Sequence, residues 1–336
     1  MQKTSSGWIN GFIGVVIFSG SLPATRVAVH DLDPLFLTVA RASIAGLLAL
    51  AALLINKEQW PSRKQLFSLT IVALGVVLGF PLLSALALRY VTAAHSIVFV
   101  GLLPLMTAVF GVIRGGERPR AIFWFFAALG SLLVIGYAVG QGITASPASA
   151  MPSAASVTIS AASAAPSPAS ATPSPASATT SPASAAPSPA NIAASPLGDL
   201  LMFGAIVLCG LGYAEGAAVS RKLGGWQVIS WALVLALPVM LPLAIVNFPK
   251  TVEAVSNSAW IGLTYVSFFS MFIGFVFWYR GLAQGGIASV GQIQLLQPFL
   301  GLALAAGLLH EKVSIGMLLV TAFVILCVAG SRKYAR

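Results

Sequence analysis

Ten apolar runs, each long enough to cross the hydrocarbon core of a bilayer as a helix, alternate with short polar breaks along the chain. They fall at about 8–29, 35–55, 66–88, 92–113, 120–140, then 198–220, 227–248, 258–279, 287–308 and 314–331. Five precede and five follow a stretch, residues 141–196, made almost entirely of Ala, Ser, Pro and Thr. An odd number of spans in each half means that the second half enters the membrane from the opposite side. Two similar halves would then be related by inversion.

The halves are similar. The stretch from Leu88 to Gly136 reappears after a shift of 194 positions, which carries Leu88 onto Leu282, Ala94 onto Ala288, Pro104 onto Pro298, Glu117 onto Glu311, Arg118 onto Lys312 and Gly136 onto Gly330 without a gap. Identity is low, but the order is shared: an apolar helix with a proline in mid-span, a short acidic-basic turn, a second apolar helix. The predicted fold class is therefore all-α integral membrane, ten transmembrane helices as an inverted repeat of two five-helix bundles. Its parts are 1–140, a linker at 141–196, and 197–336. Repeated Ser-Pro-Ala units disfavour a continuous helix and hold too little apolar surface for a core, so the linker is expected to be a disordered, partly polyproline-like tether on the outer face of the membrane. A glycosylated stalk and a partner docking site are functional readings of it; a tolerated insertion is the plain one.

Composition agrees with the pattern. Of 336 residues, 58% are hydrophobic and 8% charged, more apolar surface than a soluble globule can bury. A net charge of +10 in a soluble domain would suggest nucleic acid, but here the basic residues cluster in the breaks between spans. With the N-terminus inside, the inner side receives thirteen of them: Lys3, Lys57, Arg63, Lys64, Arg114, Arg118, Arg120, Arg221, Lys222, Arg280, Arg332, Lys333 and Arg336. The outer side receives four, Arg26, Arg89, Lys250 and Lys312. That bias predicts cytoplasmic N- and C-termini. Lys3 before an apolar run could open a signal peptide, but no small-x-small cleavage site follows, and the run reads as the first membrane helix. Cys209 and Cys327 each lie inside a span and read as packing residues, with no metal or redox pair between them.

Polar residues inside the spans are the candidates for chemistry, because each is costly there unless it faces a partner or a wet path. Arg41 lies about 10 Å below the outer end of its helix. Glu215 sits about six residues from the inner end of its own. Snorkelling, or structural pairs such as Arg41 with Asp31 or Asp33 and Glu215 with Arg221 or Arg280, are the alternatives to a functional role. Arg26 stands nearer a helix end. Pro104 and Pro298 fall near mid-depth, where each frees a carbonyl one turn back, and Gln294 and Gln297 share a helical face beside the second of them. A binding surface and interhelical glue are the two readings of that pair. Tyr213, Trp231, Trp278, Ser96, Ser84, Phe80 and Tyr265 could complete a cavity, whereas Trp260 and the Trp278-Tyr279-Arg280 group stand where an interfacial aromatic girdle is the default. Gly75-x-x-x-Gly79 and Gly212-x-x-x-Gly216 predict close helix approach. His30, His95 and His310 are dispersed, and no metal, nucleotide or nucleophile motif occurs, so no cofactor is expected.

Several short stretches carry a resemblance. The run Phe18-Ser-Gly-Ser-Leu-Pro-Ala-Thr-Arg26, then Pro34-Leu35 with Arg41, Leu103-Pro-Leu-Met-Thr-Ala108 and Gly116-Glu117-Arg118, resembles the EamA-type fold of the drug/metabolite transporter superfamily. The second half resembles the same module through Gly198-Asp-Leu-Leu201, Arg221-Lys-Leu223, Gln297-Pro298 and His310-Glu311-Lys312. The resemblance implies a ten-helix inverted-repeat bundle in a bacterial inner membrane that exports small metabolites, such as amino acids or amphipathic compounds, through a central cavity. The long linker departs from the family, whose halves usually join through a short loop. So does Gln297, where many members carry an acidic residue.

The resulting expectation is a secondary transporter working by alternating access, not an enzyme, with the lipid bilayer and a small-molecule substrate as its partners and no role for nucleic acid. Arg41 would attract a carboxylate, Gln294 and Gln297 would hydrogen-bond the substrate, and Tyr213, Trp231, Trp278 and Ser96 would line its site. Glu215 would bind a proton or pair with a cation, with Arg26 beside the gate. A membrane-embedded enzyme or lipid-handling protein would need a nucleophile and base, or metal ligands, at one depth. A structural protein would act through the outer linker.

Overall fold

The computed structural model describes residues 2–87, 90, 99–144, 196–309 and 315–335, and every regular element among them is helical. The linker from 145 to 195, Ser96 and the Glu311 turn lie outside the described residues. In the first half the helices are α1 (Gln2–Ser19), α2 (Ser21–Ala28), α3 (Pro34–Ile55), α4 (Arg63–Val72), α5 (Phe80–Ala87), α6 (Leu103–Ile113) and α7 (Ala121–Thr144). The second half contributes α8 (Pro196–Leu223), α9 (Gly225–Val246), α10 (Asn257–Tyr265), α11 (Phe275–Gly285), α12 (Ile287–Gly291), α13 (Gln297–Leu309) and α14 (Ile315–Tyr334). Six helical stretches are long and apolar enough to cross a membrane: Ser5–Thr25, Pro34–Ile55, Arg63–Ser84, Pro196–Leu223, Gly225–Val246 and Asn257–Gly285. Leu103–Ile113 and Ala121–Tyr137 are shorter apolar helices. Helix α7 runs on to Thr144 and α8 starts at Pro196, so helix occupies both margins of the segment read as linker.

Local chemistry fixes several helix ends. The Asp33 carboxylate accepts the Phe36 N–H at 3.0 Å while Pro34 takes the first helical position, where its missing N–H costs nothing. Ser62 and Gln65 form a capping box at the start of α4. Both mid-span prolines stand just after an interruption. Pro104 opens α6 behind a turn at Gly101 and Leu102, and Pro298 opens α13 behind a 3-10 stretch, Gln292–Leu296. Two spans also widen into π-helix, at Ala73–Gly79 between α4 and α5 and at Val266–Gly274 between α10 and α11. Shifted by 194 positions, the first π stretch falls inside the second.

The helices interlock across the two halves. Helix α1 runs along α11, α3 along α9 and α7 along α14, while α8 packs on α4, α5 and α6, and α6 meets α12. Glycine permits the close helix crossings. A Cβ on Gly281 would stand 2.5 Å from the Gly11 backbone nitrogen, and one on Gly75 2.4 Å from the Leu208 carbonyl oxygen. Around this core the outward faces are apolar, with Leu54, Phe125, Leu200, Ile261 and Leu326 all more than 60% exposed, as lipid contact requires.

Polar cross-links gather at the two ends of the bundle. At one end Gln227 Nε2 donates to Glu58, Arg221 pairs with Glu117, and the Arg120 N–H donates to the Tyr334 carbonyl. At the other, the Ser256 N–H donates to Asp31 at 3.0 Å. The first group joins breaks predicted to lie inside, the second breaks predicted to lie outside.

Candidate functional site

Four helical segments bring an aromatic and amide cluster to the seam between the halves. The Tyr213 ring of α8 stands edge-on to Trp278 of α11 with centroids 5.5 Å apart, and Phe275 and Phe18 close around them. From the 3-10 stretch before α13, Gln294 Nε2 donates to the Tyr213 hydroxyl at 3.4 Å. Ser19 Oγ of α1 donates to the Gln297 carbonyl at 3.2 Å, which ties the first helix to the broken one. Gln292 Nε2 reaches the Pro104 carbonyl at 3.2 Å, so the two proline breaks are bonded to each other. The clustering follows from the breaks: a helix interrupted at mid-depth turns side-chain amides and free carbonyls toward its neighbours instead of into its own ladder.

Among the described residues, three buried polar atoms of this cluster have no hydrogen-bond partner, Trp278 Nε1, Gln294 Oε1 and Gln292 Oε1, and neither has Arg41 Nε on α3. A buried donor or acceptor left unpaired costs about 1–3 kcal/mol, so a polar ligand or water has free energy to gain there. Arg41 makes neither of the ion pairs weighed for it. Asp31 is engaged with Ser256 and His30, and Asp33 caps α3.

The charged residues form a second layer, on the predicted cytoplasmic side of the aromatic cluster. Glu215 is bonded by Arg114 Nε at 2.7 Å and by the Ser68 hydroxyl, not by Arg221 or Arg280. Its hydrogen bond to Arg114, at the end of α6, holds that guanidinium's pKa above the ordinary value. Glu117 does more. Its two carboxylate oxygens accept the N–H groups of Ile287 at 2.5 Å and Ala288 at 2.7 Å, and Arg221 comes within 3.3 Å. Gly286, at φ +98°, turns the chain into α12 and offers no capping side chain, so the first half of the protein supplies the cap for a helix of the second. Arg114, Ser68 and the capping role of Glu117 are not legible in the sequence, because each depends on a contact with a helix more than 100 residues away.

Other candidates make contacts of their own. Trp231 is buried against Trp60, rings 4.9 Å apart. Ser84 donates to carbonyls of its own helix, and the Tyr265 hydroxyl donates to the Ile17 carbonyl. Trp278 and Tyr279 are fully buried, which corrects the expectation of an interfacial girdle for them: their side of α11 packs into the bundle, and only Arg280 is exposed. The side chain of Arg26 and all of Ser96 lie outside the described residues.

Comparison with known proteins identifies the family. The EamA-like transporter family matches residues 5–139 and 196–332. An uncharacterized transporter of Bacillus subtilis (strain 168), YdeK, is 56% identical over 336 residues, covering 100% of both chains. An uncharacterized transporter of Archaeoglobus fulgidus is 25% identical over 122 residues, 36% of this chain and 42% of that one. A solved structure, titled only as the crystal structure of a protein, superposes with a TM-score of 0.71 at 16% identity and covers 99% of each chain; at that identity the likeness concerns the fold.

Proposed function

Because the chain belongs to the EamA-like transporter family and is a multi-pass membrane transporter, we propose that it is a secondary active exporter of a small, amphipathic or amino acid-like metabolite. Its ten spans form an inverted repeat, with both termini in the cytoplasm of a bacterial cell and the membrane in question the inner one. Three features support the inversion. The π stretches coincide under the 194-residue shift, the prolines coincide, and the contacts come in matched pairs, α1 with α11 and α8 with the α4–α5 span.

The observation that carries the site is the Gln294–Tyr213 hydrogen bond beside Trp278, with an unpaired acceptor on the glutamine and an unpaired donor on the indole. A substrate with one polar head and one flat apolar part satisfies both atoms while its apolar part stacks on the rings. Arg41 draws an anionic group toward the site, and Gln297 presents its amide beside Pro298. Below them, Glu117 and the Arg114–Glu215 pair close the inner end. Export requires that these bonds exchange for others as one half rocks against the other, and protonation of Glu215 releases Arg114.

Counterflow and pH-gradient-driven uptake in proteoliposomes test the reading together. Gln294→Ala should weaken counterflow about tenfold by removing a hydrogen bond of about 1–1.5 kcal/mol. Glu215→Gln should lose gradient-driven transport and keep exchange at equal pH. Full counterflow in Gln294→Ala would move the site elsewhere, and full coupling in Glu215→Gln would remove the proton from the mechanism.

A further inference from the structure

A cleft of about 290 Å³ opens on the outer surface of the bundle between α1, α14 and the 3-10 stretch before α13, lined among others by Trp8, Phe12, Ile293, Leu296, Val328 and Arg332. Its walls are apolar and its rim is cationic. The Arg332 guanidinium lies 4.7 Å from the centre of the Trp8 ring in a cation–π contact, and Lys333 follows it in the last turn of α14. No carboxylate among the described residues pairs with Arg332. Phe12 and Ile9 on one wall are 45% and 59% exposed. The aromatic-cluster site lies on the interior side of α1, so this cleft is separate from it.

We propose that the cleft binds one anionic glycerophospholipid of the cytoplasmic leaflet, its phosphate on Arg332 and one acyl chain along Phe12 and Leu296. Three features favour that occupant. The apolar walls face outward on a bundle whose surroundings are lipid tails. The cation stands at the end of α14, the depth of the headgroups, with no carboxylate of the described residues paired to it. Its cation–π contact with Trp8 holds the guanidinium at the cleft before any ligand arrives, so less side-chain freedom is lost on binding. The lipid would wedge between α1 of the first half and α14 of the second.

Trp8 reports on its own site. The full-length protein is reconstituted in phosphatidylcholine vesicles doped with either phosphatidylglycerol or phosphatidylcholine carrying brominated acyl chains, and the quenching that disappears in Trp8→Phe is assigned to Trp8. Brominated phosphatidylglycerol is expected to quench that component at a mole fraction about fivefold lower than brominated phosphatidylcholine does, the gain of one headgroup contact to a basic residue. Arg332→Gln should erase the preference and leave quenching by phosphatidylcholine unchanged, and Arg332→Lys should retain most of it. Equal quenching by the two headgroups in the unsubstituted protein means annular lipid only and overturns the proposal without any variant. A preference that survives Arg332→Gln overturns it too.

Discussion

At Glu117 a single carboxylate receives two backbone N–H groups and a guanidinium, all from the other half of the chain. An amide in its place keeps one acceptor and turns an NH₂ group toward the N–H donors it should satisfy. Glu117→Gln is therefore expected to weaken the inner closure by about 1–3 kcal/mol. The readout is faster reaction of an Ala288→Cys reporter with an impermeant maleimide added from the cytoplasmic side; unchanged labelling would take Glu117 out of the gate. On the opposite end, the Ser256 side chain, then His30 and the Ser256 N–H, hold the Asp31 carboxyl at about 2, below its ordinary 3.8. The unfolded chain binds that proton first as pH falls. The contribution of Asp31 is thus complete above about pH 4 and is lost as the pH drops toward 2. Melting temperatures of the unsubstituted protein and Asp31→Asn should differ at pH 7 and converge as the pH falls to about 2. A gap that stays constant would mean that the loop contact adds nothing to stability.

Single helices show why close approach matters. A Cβ on Gly281 meets backbone of α1 at 2.5 Å, which no rotamer change can relieve, whereas one on Gly136 meets nothing within 4 Å. Gly281→Ala should destabilise by about 1–3 kcal/mol through overpacking, and Gly136→Ala should be neutral or slightly stabilising in the middle of a helix. Thermal unfolding of the two variants in one detergent checks the contrast. The expected packing motif at Gly75 and Gly79 places Gly75 against the Leu208 carbonyl and Gly212, while Gly216 receives the Tyr279 ring. Small residues at one-turn spacing announced the crossing. The π stretches did not announce themselves, because an extra residue in a turn leaves the hydropathy of the span unchanged.

For the molecule as a whole, orientation is the deciding measurement. Cysteines placed at residue 3 and residue 335 should both react with impermeant reagent only after the cytoplasmic side is exposed. Opposite sidedness would dismiss the inverted pair of five-span halves. Hydropathy is a property of neighbours in sequence, and it sufficed to mark the apolar runs, the proline breaks, the repeat at 194 positions and the Ala-, Ser- and Pro-rich join. It also marked Gln294, Tyr213 and Trp278 as polar or aromatic side chains inside spans. That these three meet, that Trp231 packs on Trp60, that Glu215 takes Arg114 over the Arg221 nearer in sequence, and that Glu117 caps a helix 170 residues away were decided by the tertiary structure. The rotation and depth of one packed helix against another set those contacts, and both are fixed by close packing at residues such as Gly75 and Gly281 rather than by the period of any single span.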